Sequence, residues 1–399
     1  MKGKNIAGRK LRLVLSGYYG FRNSGDEAVL LSILTALEQA AQREGLTVEP
    51  VVLSGDPAWT QRQYGVQAVP RMKLGEVRKA LRASDGLISG GGSLLQDATG
   101  VGSIPYYLGI LEMARWAGKP TFVYAQGIGP VNRALFHPFV ARAFRKAKYV
   151  SVRDAESAEL LARFGVDRDR VDVVADPVMG LPLPGAGGAA KGEAREPVPD
   201  AASAGEAAAR GSAPAVVGVS VRYWREDRAD LDRVAAALNA LTQRRSGVRL
   251  RMLPFHHGAD EDASRYVMER LGREAAEAEL APAHEAPQDM LREVDGCDLL
   301  IGMRLHSLIY AANREVPLMG LSYDPKIDQF LQRLGDRAIG TTDALNLQLF
   351  ADRAVQLLED PGQWRIDTYG AIRKLKDEAM RPAERIIAYC MQRKGDSND

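Results

Sequence analysis

The sequence predicts an α/β protein with two domains, each built around a mainly parallel sheet. Three observations support this prediction. The chain has 399 residues, which is too long for one compact core. Short β-rich runs alternate with amphipathic segments of helical length, as in parallel sheets flanked by helices. A segment of Ala, Gly, Pro, Glu and Ser between Leu183 and Pro214 separates the two alternating halves.

The first half begins with the strand LRLVLSG and the helix GDEAVLLSILTALEQAAQREG. In that helix four apolar residues share one face at helical spacing: Val29, Ile33, Leu37 and Ala40. The segments that follow alternate in the same way: TVEPVVLSGD, LGEVRKALRASD, GLISGGG, IPYYLGILEMARWAGK, PTFVYAQGIGP, AKYVSVRD and AESAELLARFG. A sheet of parallel strands is therefore expected here.

The second half repeats the rhythm after the insertion. Its strands are AVVGVSVRYW, VRLRMLPFHH, DLLIGM and VPLMGLSYDP, and its helices include 230–243 and 263–273. From about residue 343 the chain is mostly helical, with a break near Asp360-Pro361-Gly362. We expect a first domain at 1–182, a flexible insertion at 183–214, a second domain at 215–375, and a C-terminal helix and tail at 376–399.

Composition excludes several functional classes. Fifty-three Lys and Arg against 51 acids give a net charge of +2, which disfavours a nucleic-acid binder. The two cysteines, Cys297 and Cys390, have no metal-type spacing, so a reducing cytoplasm is expected. The segment LRLVLSG is too short for a signal peptide, and no apolar run reaches the roughly 18 residues of a membrane span.

Polar residues collect where the first strand ends, in GYYGFRNSGDEA. Asn23, Asp26 and Glu27 lie where a loop becomes a helix. A carboxylate there stabilises a helix start. The same group beside two tyrosines also suits a sugar, through hydrogen bonds and ring stacking. Both interpretations stay open for Asp26 at this point.

Two further strand ends in this half carry candidates. GLISGGGSLLQD places Gly90, Gly91 and Gly92 between a strand and a helix, which suits either close packing or an anion at a helix start. The motif is not G-x-G-x-x-G, so a dinucleotide fingerprint is absent. VSVRD ends a strand with Arg153 and Asp154, where Asp154 fits a helix cap and Arg153 fits a structural ion pair or an anion site.

Cations also follow the strands of the second half. Arg222 follows VSV, Arg304 and His306 follow DLLIGM, and Lys326 follows LSYDP. With Arg153 they form a set of cations that suits a small phosphate- or carboxylate-bearing ligand. The pair His256-His257 does not make a metal site, because neighbouring side chains point apart and no third ligand is fixed. We expect no metal and no cofactor.

These residues carry a likeness to a known family. GYYGFRNSGDEAVL, LISGGGSLLQD, YAQGIGP, VSVRD, ADPV, GMRLHSLIYAA and LSYDPKIDQF occur in this order across nearly the whole chain, outside the 183–214 insertion. The chain resembles the polysaccharide pyruvyl transferases, most closely the bacterial CsaB type. N-x-G-D-E, R-L-H-S and Y-D-x-K are specific when taken together.

The resemblance implies two Rossmann-like domains facing a cleft, in a glycosyltransferase-B-like fold. It implies transfer of pyruvate from phosphoenolpyruvate, a co-substrate, to a sugar. In the CsaB type this sugar is N-acetylmannosamine in a lipid-linked precursor of a secondary cell wall polymer. Its 4,6-pyruvate ketal serves S-layer anchoring. A cytoplasmic enzyme in peripheral contact with the membrane follows from such an acceptor.

By the same likeness, Arg153, Arg304, Leu305 (through its backbone), His306 and Lys326 match the donor-binding and catalytic positions, and Arg222 joins the donor set. Asn23, Asp26, Glu27, Gly91 and Gly92 are the expected acceptor contacts. His306 is the expected proton donor, because the ordinary pKa of a histidine side chain is ~6.5. Two alternatives stay open: a nucleotide-sugar glycosyltransferase of the same fold and a non-catalytic protein that binds an anionic sugar.

Overall fold

The computed structural model describes residues 9–97, 100, 102–183, 214–273 and 277–396, with side chains of 9 and 394–396 left out. These residues form two compact units. One comprises the chain up to Leu181 together with residues from Leu375 onward, and the other comprises Pro182–Lys374. The expected insertion at 183–214 lies almost entirely outside the described residues.

The N-terminal unit alternates strands and helices. Its strands are β1 (Arg9–Ser16), β2 (Leu46–Ser54), β3 (Gln67–Pro70), β4 (Gly86–Ser89), β5 (Gly92–Leu95), β6 (Thr121–Ile128), β7 (Tyr149–Val152) and β8 (Asp172–Val173). Its helices are α1 (Ser24–Arg43), α2 (Pro57–Tyr64), α3 (Leu74–Arg82), α4 (Ser103–Trp116), α5 (His137–Lys146) and α6 (Ala155–Arg163). Short 3-10 turns occupy Ala134–Phe136, Arg168–Arg170 and Pro177–Gly180.

The strands of this unit form a parallel sheet in the order β3-β2-β1-β4-β6-β7-β8, with β5 paired to β6. The predicted apolar face of α1 is confirmed, because Val29, Ile33, Leu37 and Ala40 are all buried. The inner sides of α3, α4, α5 and α6 share one hydrophobic core on a face of the sheet.

The second unit contains β9 (Ala215–Ser220), β10 (Val248–Met252), β11 (Ala278–Leu280), β12 (Leu299–Gly302), β13 (Leu318–Ser322) and β14 (Gly340–Thr341). Its helices are α7 (Ala229–Arg244), α8 (Ala259–Met268), α9 (Pro287–Asp295), α10 (Leu305–Asn313), α11 (Pro325–Arg333) and α12 (Leu347–Glu359). The sheet is parallel in the order β11-β10-β9-β12-β13-β14. The helix expected at 263–273 instead spans Ala259–Met268, and the next two residues form a turn.

A long helix, α13 (Pro361–Asp396), ends the described chain. The predicted break near Asp360 is confirmed, since α12 ends at Glu359 and α13 starts at Pro361. The part of α13 beyond Lys374 packs in the N-terminal unit, where the Tyr124 hydroxyl donates to the Ala379 carbonyl. Every described helix is too short or too polar to cross a lipid bilayer.

The strand order places the sites. In each sheet the chain steps outward on one side of its first strand and then returns to the other side. The reversal falls between β1 and β4 in one unit and between β9 and β12 in the other. Ligands of such folds bind beyond the carboxyl ends of the strands at this reversal. The predicted α/β class with two parallel sheets is confirmed.

Candidate functional site

The loop between β1 and α1 is organised by Glu27. One carboxylate oxygen of Glu27 accepts hydrogen bonds from the N–H groups of Gly20, Phe21 and Arg22 at 2.8, 3.2 and 3.3 Å. The other accepts from the Tyr64 hydroxyl at 2.9 Å. Burial raises the pKa of Glu27, and these hydrogen bonds oppose that shift. The side chain is buried and fixes the loop, and the expected contact of Glu27 with an acceptor stays a prediction.

Asn23 and Asp26 have different local roles. Asn23 is the cap of α1, and its side-chain oxygen accepts from the Gly25 N–H at 3.1 Å. Asp26 follows in the first turn, is only partly buried, and receives no hydrogen bond from a described residue. Loss of water around this carboxyl raises its pKa to about 7, with a further increase from Glu27 and a decrease from Arg153. A carboxyl poised near neutrality can exchange a proton with a bound group.

Glycines line the end of β4 for two reasons. A Cβ on Gly91 would lie 2.6 Å from Cγ1 of Val29, so close packing of the strand on α1 requires that glycine. Gly92 has a φ of +83°, and a Cβ there would lie 3.0 Å from Oδ1 of Asp26. Packing therefore accounts for Gly91, whereas Gly92 is required by its positive φ and by the close approach of the Asp26 carboxyl.

Arg153, at the end of β7, is held in a buried ion pair. Its Nη1 donates to Oδ2 of Asp176 at 2.8 Å, and its Nη2 donates to Oγ of Ser93 at 3.0 Å. Asp154 is the predicted cap of α6, and its carboxylate accepts from the Ser157 N–H at 2.7 Å. The structural ion pair considered for Arg153 is therefore present. Its partner Asp176 lies 23 residues away in sequence and was not among the expected site residues.

An aromatic group at the same sheet edge contains Tyr18, one of the two tyrosines of GYYG, together with Phe21, which the sequence did not single out. Tyr18 and Phe21, 42% and 43% exposed, stack with ring centroids 4.1 Å apart. The Arg71 guanidinium lies 6.0 and 5.4 Å from these two centroids and 4.3 Å from that of Tyr106. Its Nη2 donates to the Tyr107 hydroxyl at 3.4 Å. Exposed ring faces held by a cation offer stacking contacts to a sugar.

In the second unit, Arg222 at the end of β9 reaches the end of β13. Its Nη1 donates to the Tyr323 hydroxyl at 3.1 Å. The guanidinium also lies 5.6 Å from the ring centroid of Trp224, which is half-exposed. The cation therefore lies beside two aromatic rings, at the ends of the two strands that flank β12.

Arg304, at the end of β12, is fixed by a carboxylate that the sequence did not single out. Asp260 in α8 receives both Nε, at 2.9 Å, and Nη2 of Arg304. Asp260 is fully buried and also accepts from the N–H groups of Phe255 and His256 at 3.2 and 3.0 Å. A bidentate ion pair with a buried partner restricts the guanidinium to one orientation.

The remaining predicted residues lie in the first turns of α10 and α11. Leu305 starts α10 with a buried side chain, and His306 follows it half-buried in the first turn. Lys326 lies in the first turn of α11, and its Nζ is 2.8 Å from Oδ2 of Asp324, the cap of that helix. The N–H groups of both helix starts favour an anion.

The strand order β9-β12-β13 makes three predicted cations neighbours: Arg222, Arg304 and Lys326. They are separated by up to about a hundred residues in sequence. Arg304 and Lys326 are each paired with a carboxylate, and the guanidinium, ammonium and helix-start N–H donors of this strand edge can bind phosphate and carboxylate groups, with an imidazole beside them.

The two adjacent histidines point to different partners. The Nε2 of His257 bonds to the carbonyl of His284 at 3.1 Å, while the His256 backbone bonds to Asp260. Among the described residues, no group of three His, Cys, Asp or Glu side chains is placed to hold a metal ion.

A cavity of about 500 Å³ in the second unit lies away from these strand ends. It is lined by charged groups of β10, β11 and α9 that pair with one another, including Arg251 with Glu293 and Glu293 with His284. Because none of the predicted site residues lines this cavity, we assign it no role in the chemistry.

Sequence comparison places the chain beside one family. Residues 23–325 match the model described as polysaccharide pyruvyl transferase. No curated protein matches the chain in a separate sequence search. The matched region contains every predicted site residue except Lys326, the residue directly after its end.

Several solved structures have the same fold but low sequence identity to this chain. A glycosyltransferase from Rickettsia africae matches with a TM-score of 0.61 at 11% identity, covering 96% of this chain and 99% of that one. A putative UDP-N-acetylglucosamine 2-epimerase from Listeria monocytogenes matches at 0.60 and 12%, covering 97% of each. Anabaena HepE, solved with UDP-glucose, matches at 0.54 and 13%, covering 96% and 99%. The glycosyltransferase-B-like fold expected from the sequence is thereby confirmed.

Proposed function

This chain belongs to the polysaccharide pyruvyl transferase family, and from that premise we propose that it transfers the pyruvyl group of phosphoenolpyruvate to a sugar as a ketal. One observation carries the choice of donor. Arg222, Arg304 and Lys326 follow three neighbouring strands of one sheet, with His306 in the first turn of α10. Phosphoenolpyruvate has the two anionic groups that such an edge suits.

The donor is held by the strand edge of the second unit. Arg304, oriented by Asp260, binds one anionic group, and Lys326 with the start of α11 binds the other. Holding both ends of a small molecule fixes its methylene carbon in one place. The family resemblance also assigns Arg153 to the donor, and that assignment stays a prediction.

The chemistry needs one proton and two hydroxyl groups. His306 protonates C3 of phosphoenolpyruvate, so that C2 becomes electrophilic and a sugar hydroxyl attacks it. A second hydroxyl then attacks C2, the C2–O bond to phosphate breaks, and inorganic phosphate leaves with that electron pair. Each attacking hydroxyl releases one proton; one of the two replaces the proton given by His306, and the other leaves with the inorganic phosphate. A general acid in this position contributes about 10²–10⁴-fold.

The acceptor side is assigned to Asp26. Of the two acidic residues predicted for this role, Glu27 is engaged by the loop, and Asp26 alone is partly exposed beside Gly92. A carboxyl with a pKa of about 7 accepts a hydroxyl proton more readily than one near 4. If Asp26 acts as this base, kcat/KM rises as pH increases through about 7.

The proposed acceptor is taken from the resemblance to the CsaB type. The CsaB type acts on N-acetylmannosamine in a lipid-linked precursor of a secondary cell wall polymer, and its 4,6-ketal serves S-layer anchoring. We propose the same acceptor for this chain, on the strength of N-x-G-D-E, R-L-H-S and Y-D-x-K occurring together.

The direct test incubates the protein with phosphoenolpyruvate and a lipid-linked GlcNAc–ManNAc analogue. Phosphate release and the mass of a pyruvyl ketal on the analogue are measured together. A parallel reaction replaces phosphoenolpyruvate by UDP-sugars, because the fold is shared with HepE, which was solved with UDP-glucose. Turnover of a UDP-sugar without any ketal would reject pyruvyl transfer.

His306 and His257 provide a matched pair for the proton-transfer step. His306→Ala should abolish ketal formation while phosphoenolpyruvate still binds. His257→Ala should leave turnover within about twofold, because the His257 ring bonds to the His284 carbonyl rather than to the cationic edge. Full activity of His306→Ala would remove that residue from the mechanism.

Asp260→Asn tests how Arg304 is positioned. Its carboxylate orients the guanidinium without being placed on the donor, so the variant should raise KM for phosphoenolpyruvate more than it lowers kcat. Asp260→Glu should restore part of the affinity. A variant whose KM is unchanged would show that the orientation of Arg304 is irrelevant to donor binding.

A further inference from the structure

Three helices of the N-terminal unit form a continuous outer layer with exposed apolar side chains. α3 packs on α4 and α4 packs on α5, while their inner sides share one core. Four large apolar residues around the starts of α3 and α5 face solvent: Met72, Leu74, Leu135 and Phe139, at 72, 54, 71 and 55% exposure. Trp116, at the end of α4, is also exposed. Single exposed apolar side chains are ordinary, but such a group around two helix starts calls for an explanation.

The same layer is strongly basic. Segments 71–85 and 133–148 contain ten Lys and Arg residues against two acids, a net charge of +8, whereas the whole chain carries +2. The excess positive charge of the protein is therefore concentrated on α3, α5 and the residues beside them. An anionic partner is the complement of such a surface.

Apolar and cationic side chains share the same helix stripes. On α3, Leu74 is followed by Arg78 and Arg82 at intervals of four residues, and all three are exposed. On α5, Phe139 is followed by Arg142 after three residues, and both are exposed. Residues three or four apart lie on one face of a helix. Each helix therefore presents an apolar group at its start and cations along the same side.

We propose that the outer surface of α3, α4 and α5, the α3–α5 surface, docks on an anionic lipid bilayer. Its exposed apolar side chains enter the headgroup region, and its arginines and lysines meet lipid phosphates. A nucleic acid would also attract the cations, but exposed Leu, Met and Phe side chains add nothing to phosphate contacts. The mixture of the two side-chain types favours the bilayer.

The position of this surface links it to the sheet edge that carries Asp26. α3 follows β3 and α5 follows β6, so both helices start at the carboxyl edge of the sheet. The exposed pair of Tyr18 and Phe21 lies at that edge beside Arg71, directly before Met72. Docking would place this edge close to a lipid-borne sugar. The inference goes beyond the proposed function and is measured without either substrate.

The first experiment uses the full chain and vesicles of phosphatidylcholine, with or without phosphatidylglycerol. The protein should sediment with the anionic vesicles and stay in solution with the neutral ones, and high salt should release it. Arg78→Glu/Arg82→Glu should weaken binding at least about twentyfold, because each cation near an anionic bilayer contributes about fivefold. If the wild-type protein does not sediment with anionic vesicles at low salt, the proposal is overturned.

The second experiment tests insertion of the apolar groups. Leu74→Ser/Phe139→Ser should lower vesicle binding, while Leu347→Ser/Leu349→Ser, an exposed pair on the second unit, should not. All four positions are exposed, so thermal unfolding should change little and serves as the folding control. Equal binding by the two double variants would reject insertion through this surface.

A labelled oligonucleotide run in parallel separates the remaining partner class. Oligonucleotide binding that is lost in Arg78→Glu/Arg82→Glu, without any vesicle binding by the wild type, would identify a nucleic-acid surface and overturn the proposal. Vesicle binding with intact turnover of a water-soluble acceptor would support the proposal. Vesicle binding without pyruvyl transfer would count against the proposed function alone.

Discussion

The substitution Asp26→Asn should change the free energy of unfolding more favourably at about pH 8 than at about pH 4. Burial raises the pKa of this carboxyl from 3.8 to about 7. Between those values the folded state keeps a proton that the unfolded chain has lost. Since the unfolded state binds fewer protons there, the free energy of unfolding falls as pH rises, and the loss is complete above about pH 7. Asn carries no proton to lose and escapes this cost.

The magnitude follows from the shift. Three pKa units correspond to about 4 kcal/mol, at about 1.4 kcal/mol for each unit. Asp26 is partly exposed, and water near its carboxylate screens the charge. We therefore expect the change in the free energy of unfolding caused by Asp26→Asn to be about 2 kcal/mol more favourable at pH 8 than at pH 4. The difference between the two pH values isolates the ionisation from the loss of the carboxyl shape.

Urea unfolding of both proteins at the two pH values provides the measurement. Asp169→Asn, an exposed position of the same unit, is the control, and its effect should be equal at both pH values. The same effect of Asp26→Asn at both pH values would refute the link between burial and ionisation. A larger gain at low pH would reverse its sign.

Two other changes test the packing around this group. Asp176→Asn removes the carboxylate that pairs with the buried guanidinium of Arg153. It should therefore lower the free energy of unfolding by about 3 kcal/mol in chemical denaturation. A change below about 1 kcal/mol would contradict this account. Gly91→Ala should lower the free energy of unfolding by about 1–3 kcal/mol, because its Cβ would clash with Val29. Gly109→Ala, in open space within α4, should instead raise it by about 0.5–1 kcal/mol. Similar changes in Tm for the two alanine variants would contradict the packing argument.

Most of the fold could be predicted from periodicity. The strand LRLVLSG, the helix with Val29 and Ile33, and the break before Pro361 carry strong local signals, and each is where the pattern placed it. The short strands were harder. β5 has four residues and β8 two, so neither shows an alternation of its own. They become strands because β6 and β7 offer them backbone partners.

The candidate site shows a different limit. The sequence indicates which residues follow strands, and the strand order then brings Arg222, Arg304 and Lys326 together. What a polar side chain does at a strand end depends on partners that are distant in sequence. Asp260, 44 residues from Arg304, carries no local signal. Asp176 belongs to the ADPV motif, but nothing in that motif marks it as the partner of Arg153, 23 residues away.

Asp26 and Glu27 illustrate this limit most directly, because they are adjacent and both acidic. A rotation of about 100° along α1 turns Glu27 toward the loop N–H groups and leaves Asp26 beside Gly92. The hydrogen bonds of Glu27 favour its ionised form, whereas the carboxyl of Asp26 accepts none from the described residues and lies near that charge. One carboxylate therefore builds the loop, and its negative charge helps to keep a proton on the other. The two neighbouring acids divide into a structural group and a group suited to proton transfer.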